Sequence, residues 1–417
     1  MAGVGPAGGG GAPDACCSGA HWLYRCRVGR RGDRCLNKRP LSCQNSAAFL
    51  LLLREGRKHD ILSGHRLSWK EGGPDVKTRE YQYDNLRLLL IALVVLGHLL
   101  EIAGEFPHKE TLYAVIYSFH MPAFLFLSGM FARFDRSKWI FGMALPYLVL
   151  QWLYTAFVEK LGDPWVHVQF SRPYWILWYL FVLAIYTLLL PVYDAPSATG
   201  RWLMVAASVA LALLVGCDKS IDYQWSASRI IAFQPWFLLG YYFRRADGLR
   251  ARWNGGGRTL RGIVLGLAVA CCVLLEWLLL RQGVTAKMML GAYGYEDLGY
   301  SWQMRGLIMC CAASVIFLLF AGLAPHLKRR IPVITVLGQN TLPIYLFHGF
   351  FFHLLRLKFP YLLAQSWQVL LVWVGLLLLL GNPATGRVTS FLFGGGWYHL
   401  LQTRRGRGRS IAPGEKI

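Results

Sequence analysis

Charged side chains are scarce in this sequence. They make up 16% of its 417 residues, where a soluble chain of this size carries about a quarter. From Leu86 onward long apolar runs alternate with short basic loops, which excludes a soluble globular domain as the body of the chain. Short segments of alternating polarity are also missing, and with them a membrane β-barrel. The cysteines form no C-x-x-C pair and no zinc spacing, so no metal site is expected. There is no Gly-rich phosphate loop, no Walker motif and no nucleophilic-serine elbow; Ser128-Gly129 sits inside an apolar run without that context. No internal repeat supports an inverted-repeat transporter, and no loop is long enough to form a second folded domain.

What the sequence has in quantity is apolar and aromatic residues, 55% and 14% of the chain. A bilayer core takes roughly 20 apolar residues per helix, and in lipid each span must satisfy its own backbone polar groups. The expected fold is therefore all-α and polytopic, with about ten transmembrane helices. They are predicted at 86–104, 111–132, 139–158, 174–193, 201–217, 228–243, 261–281, 303–323, 333–355 and 362–381.

The net charge of +22 comes from Lys and Arg at span ends and in the tails, not from a nucleic-acid-binding face. With ten spans and a cytoplasmic N-terminus, the basic loops fall on one side: Lys77 and Arg79; Arg133, Arg136 and Lys138; the arginines between 244 and 261; Lys328 to Arg330; and the C-terminal arginines. This is the positive-inside arrangement, facing anionic lipid, and it makes both termini cytoplasmic. Residues 1–75 read either as a disordered basic tail or as a mis-assigned start, with Val76 as the true beginning. Residues 76–385 are the membrane domain, and 386–417 a basic cytoplasmic tail. Cys217, Cys271, Cys272, Cys310 and Cys311 read as small packing residues of the spans.

Polar residues inside the spans are candidates for function because they are costly there. Arg87 and His98 are eleven residues apart, three helical turns, so they share a face at about 16 Å separation along the axis. Glu101 follows on that face, placed to hold the imidazole tautomer. His120 in the second span has a similar depth to His98, and Arg133 and Arg136 follow that span at the rim. His348 lies in the ninth span, after a Gly-Gln-Asn-Thr-Leu-Pro stretch that predicts an irregular helix start. Trp175 and Trp178 open the fourth span, as an interfacial belt or as platforms for a sugar ring. Arg229 stands at the outer end of the sixth. An anchor arginine, interhelical hydrogen bonds and plain topology would account for many of these residues singly.

Taken in order, the Arg-x10-His of the first span, FHMPAFLFLSGMF, the Arg-x2-Arg after it, LWYLFVLAIY, FQPWFLLGYYF and LGQNTLPIYLFHG resemble the membrane acyltransferase-3 family, nearest its fucose 4-O-acetylase-like branch. The likeness covers roughly residues 80–385. It implies that Arg87 and His98 are the family's essential pair, that Arg133 and Arg136 are its Arg-x-x-Arg element, and that His120 and His348 match positions of the branch. It further implies an acyl-coenzyme A donor, acetyl-CoA, a glycan acceptor and a place in a bacterial cytoplasmic membrane. Some members carry an extra hydrolase-like domain; none is read here, as expected of a stand-alone enzyme. On that footing His98 is the expected general base, His120 an oxyanion donor, Arg133 and Arg136 the contacts of the donor phosphates, and Trp175, Trp178, Arg229 and His348 the acceptor site. No metal is called for. The rival reading is a transporter or flippase of a glycan or lipid-linked sugar, using the same histidines to relay protons; a third is a non-catalytic assembly factor.

Overall fold

The computed structural model describes residues 80–162, 169–194 and 197–393, all within the unit Lys77–Ile417. Both readings of residues 1–75 lie outside the described residues, as does the segment from 394 onward.

The helices are α1 (Tyr81–Ile102), α2 (Lys109–Phe131), α3 (Arg136–Leu161), α4 (Trp178–Leu188, entered through the turn Trp175–Leu177), α5 (Ala198–Leu214), α6 (Ala227–Arg245), α7 (Asp247–Gly255), α8 (Arg258–Arg281), α9 (Trp302–His326), α10 (Pro332–Gln339), α11 (Thr341–Lys358), α12 (Ser366–Gly381) and α13 (Pro383–Phe393). Among the described residues there is no β-strand, only a single bridge between Glu105 and Gln365. Every predicted span falls on helix. Six helices are long and apolar enough to cross a membrane: α1, α2, α3, α5 extended to Cys217, α8 and α9. The pair α12 and α13, bent by 57°, would make a seventh. The other predicted spans are helical but short or mixed in polarity: α4 is brief, α6 carries Arg229, Gln234 and two terminal arginines, and α11 carries His348, His353 and Arg356.

Two predicted spans differ in shape. The run 333–355 is broken at Asn340 (φ −110°, ψ 38°) into α10 and α11, in line with the irregular start read from its Gly, Asn and Pro. Residues 386–393, assigned from sequence to the tail, continue α13, where Gly386, Thr389 and Phe393 are buried. The Cβ of any larger residue at Gly386 would lie 2.0 Å from the Asn340 side-chain oxygen, so the break and α13 pack as one feature. Of the span cysteines only Cys311 is buried, while Cys217, Cys271 and Cys310 are exposed. Those three are not the buried packing residues predicted; they are exposed, although Cys271 still accepts from Ser314 Oγ of α9 at 3.8 Å.

Buried polar groups hold α1 in place. Asn85 donates to the carbonyls of Leu327 (2.9 Å) and Arg329 (3.1 Å) and accepts from Thr335 Oγ1 (2.8 Å). Asp84 accepts from Gln339 (3.3 Å). Midway, Trp373 Nε1 donates to Ala92 O at 2.8 Å. Beyond the far end, Gly104 and Glu105 N–H donate to Leu363 O and Ala364 O (2.9 and 2.8 Å).

The helices α2 and α6 form the densest contact. A Cβ at Gly129 would sit 2.1 Å from Phe237 O, and one at Gly240 would sit 1.9 Å from Phe126 O. The two backbones touch, as small residues allow in membrane helix pairs. Arg244 near the end of α6 pairs with Glu80 at 2.8 Å and lies over the Phe131 ring at 5.3 Å. The start of α1 and the ends of α2 and α6 thus share one rim, and the Arg244 guanidinium, hydrogen-bonded to Glu80, holds that carboxyl below its usual range.

Gly240→Ala is expected to cost about 1–3 kcal/mol through backbone displacement, read as a lower Tm of the detergent-solubilised protein. Gly266→Ala on α8, with nothing within 4 Å of its Cβ, serves as the control. Equal Tm values for the two variants would contradict the close crossing.

Candidate functional site

One face of α1 presents Arg87, Ile91, Val94, His98 and Glu101 to a cavity of about 980 Å³. Their spacing follows a helical stripe. Tyr113, Tyr117, His120, Phe124 and Ser128 form the matching stripe on α2. The cavity is elongated: it reaches Arg133 and Lys138 at the rim and Glu101, Lys287 and Tyr293 at the other end of the α1–α2 pair. Ile140–Ala144 of α3 is a π-helical segment, and two of its residues, Gly142 and Met143, line the wall.

The imidazoles gather in the middle. His98 and His348 stack at 5.5 Å between centroids, and Trp175 packs on His98 at 4.4 Å. Trp175 holds φ at 33°, a region that bulky L residues avoid. Contacts with His98, Phe352 and His353 keep it there, as surroundings must when such strain persists at a site.

Hydrogen bonds decide the tautomers. His120 Nδ1 lies 2.7 Å from Ile116 O, and His348 Nδ1 lies 2.8 Å from Ile344 O and 2.9 Å from Tyr345 O. A carbonyl only accepts, so Nδ1 carries the proton in both rings. When neutral, each ring offers Nε2 as a lone pair, and that of His348 is buried without a partner. His120 can therefore act as an oxyanion donor only as the imidazolium. His98 Nδ1 meets Tyr117 OH at 3.0 Å, while Glu101 is 3.9 Å away and half-exposed. Tyr117, whose ring packs on Tyr113 at 4.2 Å, thus stands nearer His98 Nδ1 than Glu101, which was expected to orient it.

Arg87 bonds Asp84 at 3.0 Å and lies over Phe131 at 4.8 Å. Arg133 is exposed at the rim and lines the cavity; Arg136 is exposed and does not, whereas Lys138 does. Trp178 and Arg229 both line the wall and meet face to cation at 4.9 Å. The predicted site residues other than Arg136 therefore share one cavity. Sequence reasoning missed Tyr113, Tyr117, the Ser128–Tyr179 pair (2.6 Å), Lys138, Lys287 and Tyr345 as parts of it. The stripe Tyr113, Tyr117, His120, Phe124 was the available signal. Glu276, inside α8, accepts from Ser118 Oγ at 2.5 Å and from Cys311 at 3.1 Å, outside this cavity.

The acyltransferase domain family matches residues 80–381. The chain belongs to that family, and it is an acyltransferase. It is similar to nodulation protein NolL of Sinorhizobium fredii, 26% identical over 325 residues, which cover 66% of this chain and 79% of NolL. No solved structure matches.

Removing the Tyr117 hydroxyl leaves His98 Nδ1 without its nearest partner. Tyr117→Phe is expected to lose about 1 kcal/mol of transition-state stabilisation, roughly fivefold in kcat, with the donor KM unchanged. A kcat equal to wild type would remove Tyr117 from the orienting role.

Proposed function

We propose that the protein transfers an acetyl group from cytoplasmic acetyl-coenzyme A to a hydroxyl of a sugar or glycan, in the manner of the fucose 4-O-acetylase-like branch. The observation that carries this reading is a single cavity joining a cationic rim to a cluster of imidazoles. The orientation has both termini and the rim in the cytoplasm of a bacterial inner membrane, with ten helical passes. Positive-inside charge supports it.

The donor's phosphates meet Arg133 and Lys138, and Arg136 on the adjoining exposed turn meets the part that protrudes. Guanidinium groups suit phosphates through paired hydrogen bonds. The pantetheine arm runs past Arg87, and about 16 Å further along the axis its thioester reaches His98. With His98 Nδ1–H donating to Tyr117, Nε2 is the base. It takes the proton of the acceptor hydroxyl as that oxygen attacks the thioester carbon. The tetrahedral intermediate collapses, the carbon–sulfur bond breaks, and the imidazolium returns its proton to the leaving thiolate. The products are an O-acetyl ester and free coenzyme A. His348 Nε2 accepts a hydrogen bond from another acceptor hydroxyl, and Trp175 and Trp178, whose rings pack on Phe352 and Phe233, give the sugar their apolar edges.

In membranes given labelled acetyl-coenzyme A, His98→Ala should lower transfer by about 10²–10⁴-fold. Retained transfer would take His98 out of the chemistry. Label-free acceptor of unchanged mass after incubation with the wild type would favour a transporter instead.

Arg133→Ala and Lys138→Ala should each raise the donor KM several-fold, by loss of about 1 kcal/mol or more of charge-assisted binding. Unchanged kinetics in both would return these residues to topology alone.

A further inference from the structure

Two arginines among the described residues are buried, Arg229 (6% exposed) and Arg305 (5%), and they differ in what satisfies them. Arg305 donates to Ala212 O (3.1 Å), Tyr293 O (3.3 Å) and Tyr300 OH (2.5 Å). Its guanidinium is used up by the fold. Arg229 makes one hydrogen bond, from Nε to Leu290 O at 3.3 Å. No carboxylate of the described residues pairs with it. Its guanidinium lies over the rings of Trp178 at 4.9 Å and Tyr223 at 4.8 Å, and among the described residues only its Nε is taken up by a hydrogen bond, which leaves the terminal nitrogens for a ligand. Trp178, Tyr223 and Arg229 all line the cavity, with Lys287 and Tyr293 beside them.

A buried cation without a counter-charge is costly. An anion entering the cavity would offset that cost, and an arginine edge binds carboxylate or phosphate oxygens in plane. Its place in the cavity says which substrate brings the anion. Arg229 stands two residues into α6, at the end opposite the rim that Arg244 occupies, and Lys287 and Tyr293 line the same end of the cavity. The anion therefore sits at the end of the cavity away from the donor's phosphates. Among the described residues Glu101 is the one carboxylate lining that end; it is half-exposed and lies by His98.

We infer that Arg229, packed against the rings of Trp178 and Tyr223 with Lys287 nearby, seats an anionic group of the acceptor: a carboxylate or a phosphate ester carried by the glycan. This rests on the acetyl-transfer reading and narrows its substrate class.

The test uses full-length protein in membranes of its own cells, labelled acetyl-coenzyme A, and anion-exchange separation of the acetylated product. The label is expected in an anionic glycan. Mild acid removes the charge if its source is a glycosyl phosphate, phosphatase removes it if the source is a phosphate monoester, and a uronate-type carboxylate survives both. Arg229→Gln should raise the acceptor KM about tenfold or more, with the donor KM unchanged and Arg229→Lys intermediate. Label in a neutral glycan overturns the inference while leaving acetyl transfer in place. A rise in donor KM in Arg229→Gln also overturns it, by assigning the residue to the donor. Absence of transfer by wild type removes the acetyl-transfer reading and this inference with it. The charge of the wild-type product decides the matter even where Arg229→Gln fails to fold.

Discussion

The axial position of α1 is the constraint on which the site depends. This helix carries Arg87, His98 and Glu101, and sliding it by one turn, about 5.4 Å, would carry His98 away from Trp175, Tyr117 and His348 together. Hydrogen bonds prevent that at three levels: Asn85 at the rim, Ala92 midway and Gly104–Glu105 beyond the far end. Asn85 is buried and Trp373 partly so, and losing the partner of a buried polar group costs about 1–3 kcal/mol; Gly104 and Glu105 are exposed. At the rim, a Cβ at Gly338 would be 2.0 Å from Asp84 O, so sterics and hydrogen bonding agree on the same register.

The wall opposite follows a similar logic. Gly129 and Gly240 let α2 and α6 touch, and this sets the Tyr113–Tyr117–His120 face of α2 against α1. Once Nδ1 of His120 and of His348 is committed to a helix carbonyl, the ring can neither flip nor exchange tautomers without losing a bond. The chemistry of the cavity is thereby written into backbone positions one turn away.

Much of this was legible in the linear order. Apolar runs of about 20 residues marked the helices, and polar residues inside such runs marked the cavity, since lipid tolerates them poorly. What escaped was information carried across helices. Tyr117 reads as one more aromatic in an apolar run until α1 brings His98 to its hydroxyl. Arg133, Arg136 and Lys138 are equivalent cations in sequence; the turn after α2 and the start of α3 decide which two face inward. Residues 386–393 of α13 were read as tail because Gly, Thr and Arg residues dilute the helix's apolar character, and the bend after Gly381 is set by Asn382 and Pro383 rather than by any hydropathy signal.

The outermost helix shows the opposite regime. Only 6% of the apolar window of α8 is buried, against 61% for α1 and 67% for α2. Where neighbours are acyl chains, no particular shape is demanded of a side chain, only solubility in hydrocarbon. Leucine, valine and isoleucine are interchangeable along most of α8, and its outer residues are free to drift among relatives. Glu276 and Leu279 are exceptions: Ser118 and Cys311 tie the Glu276 carboxylate to α2 and α9, and Leu279 is buried in the core. Mutational tolerance in this protein should thus be sorted by helix: permissive on the lipid-facing flank, and restrictive along the stripes of α1 and α2.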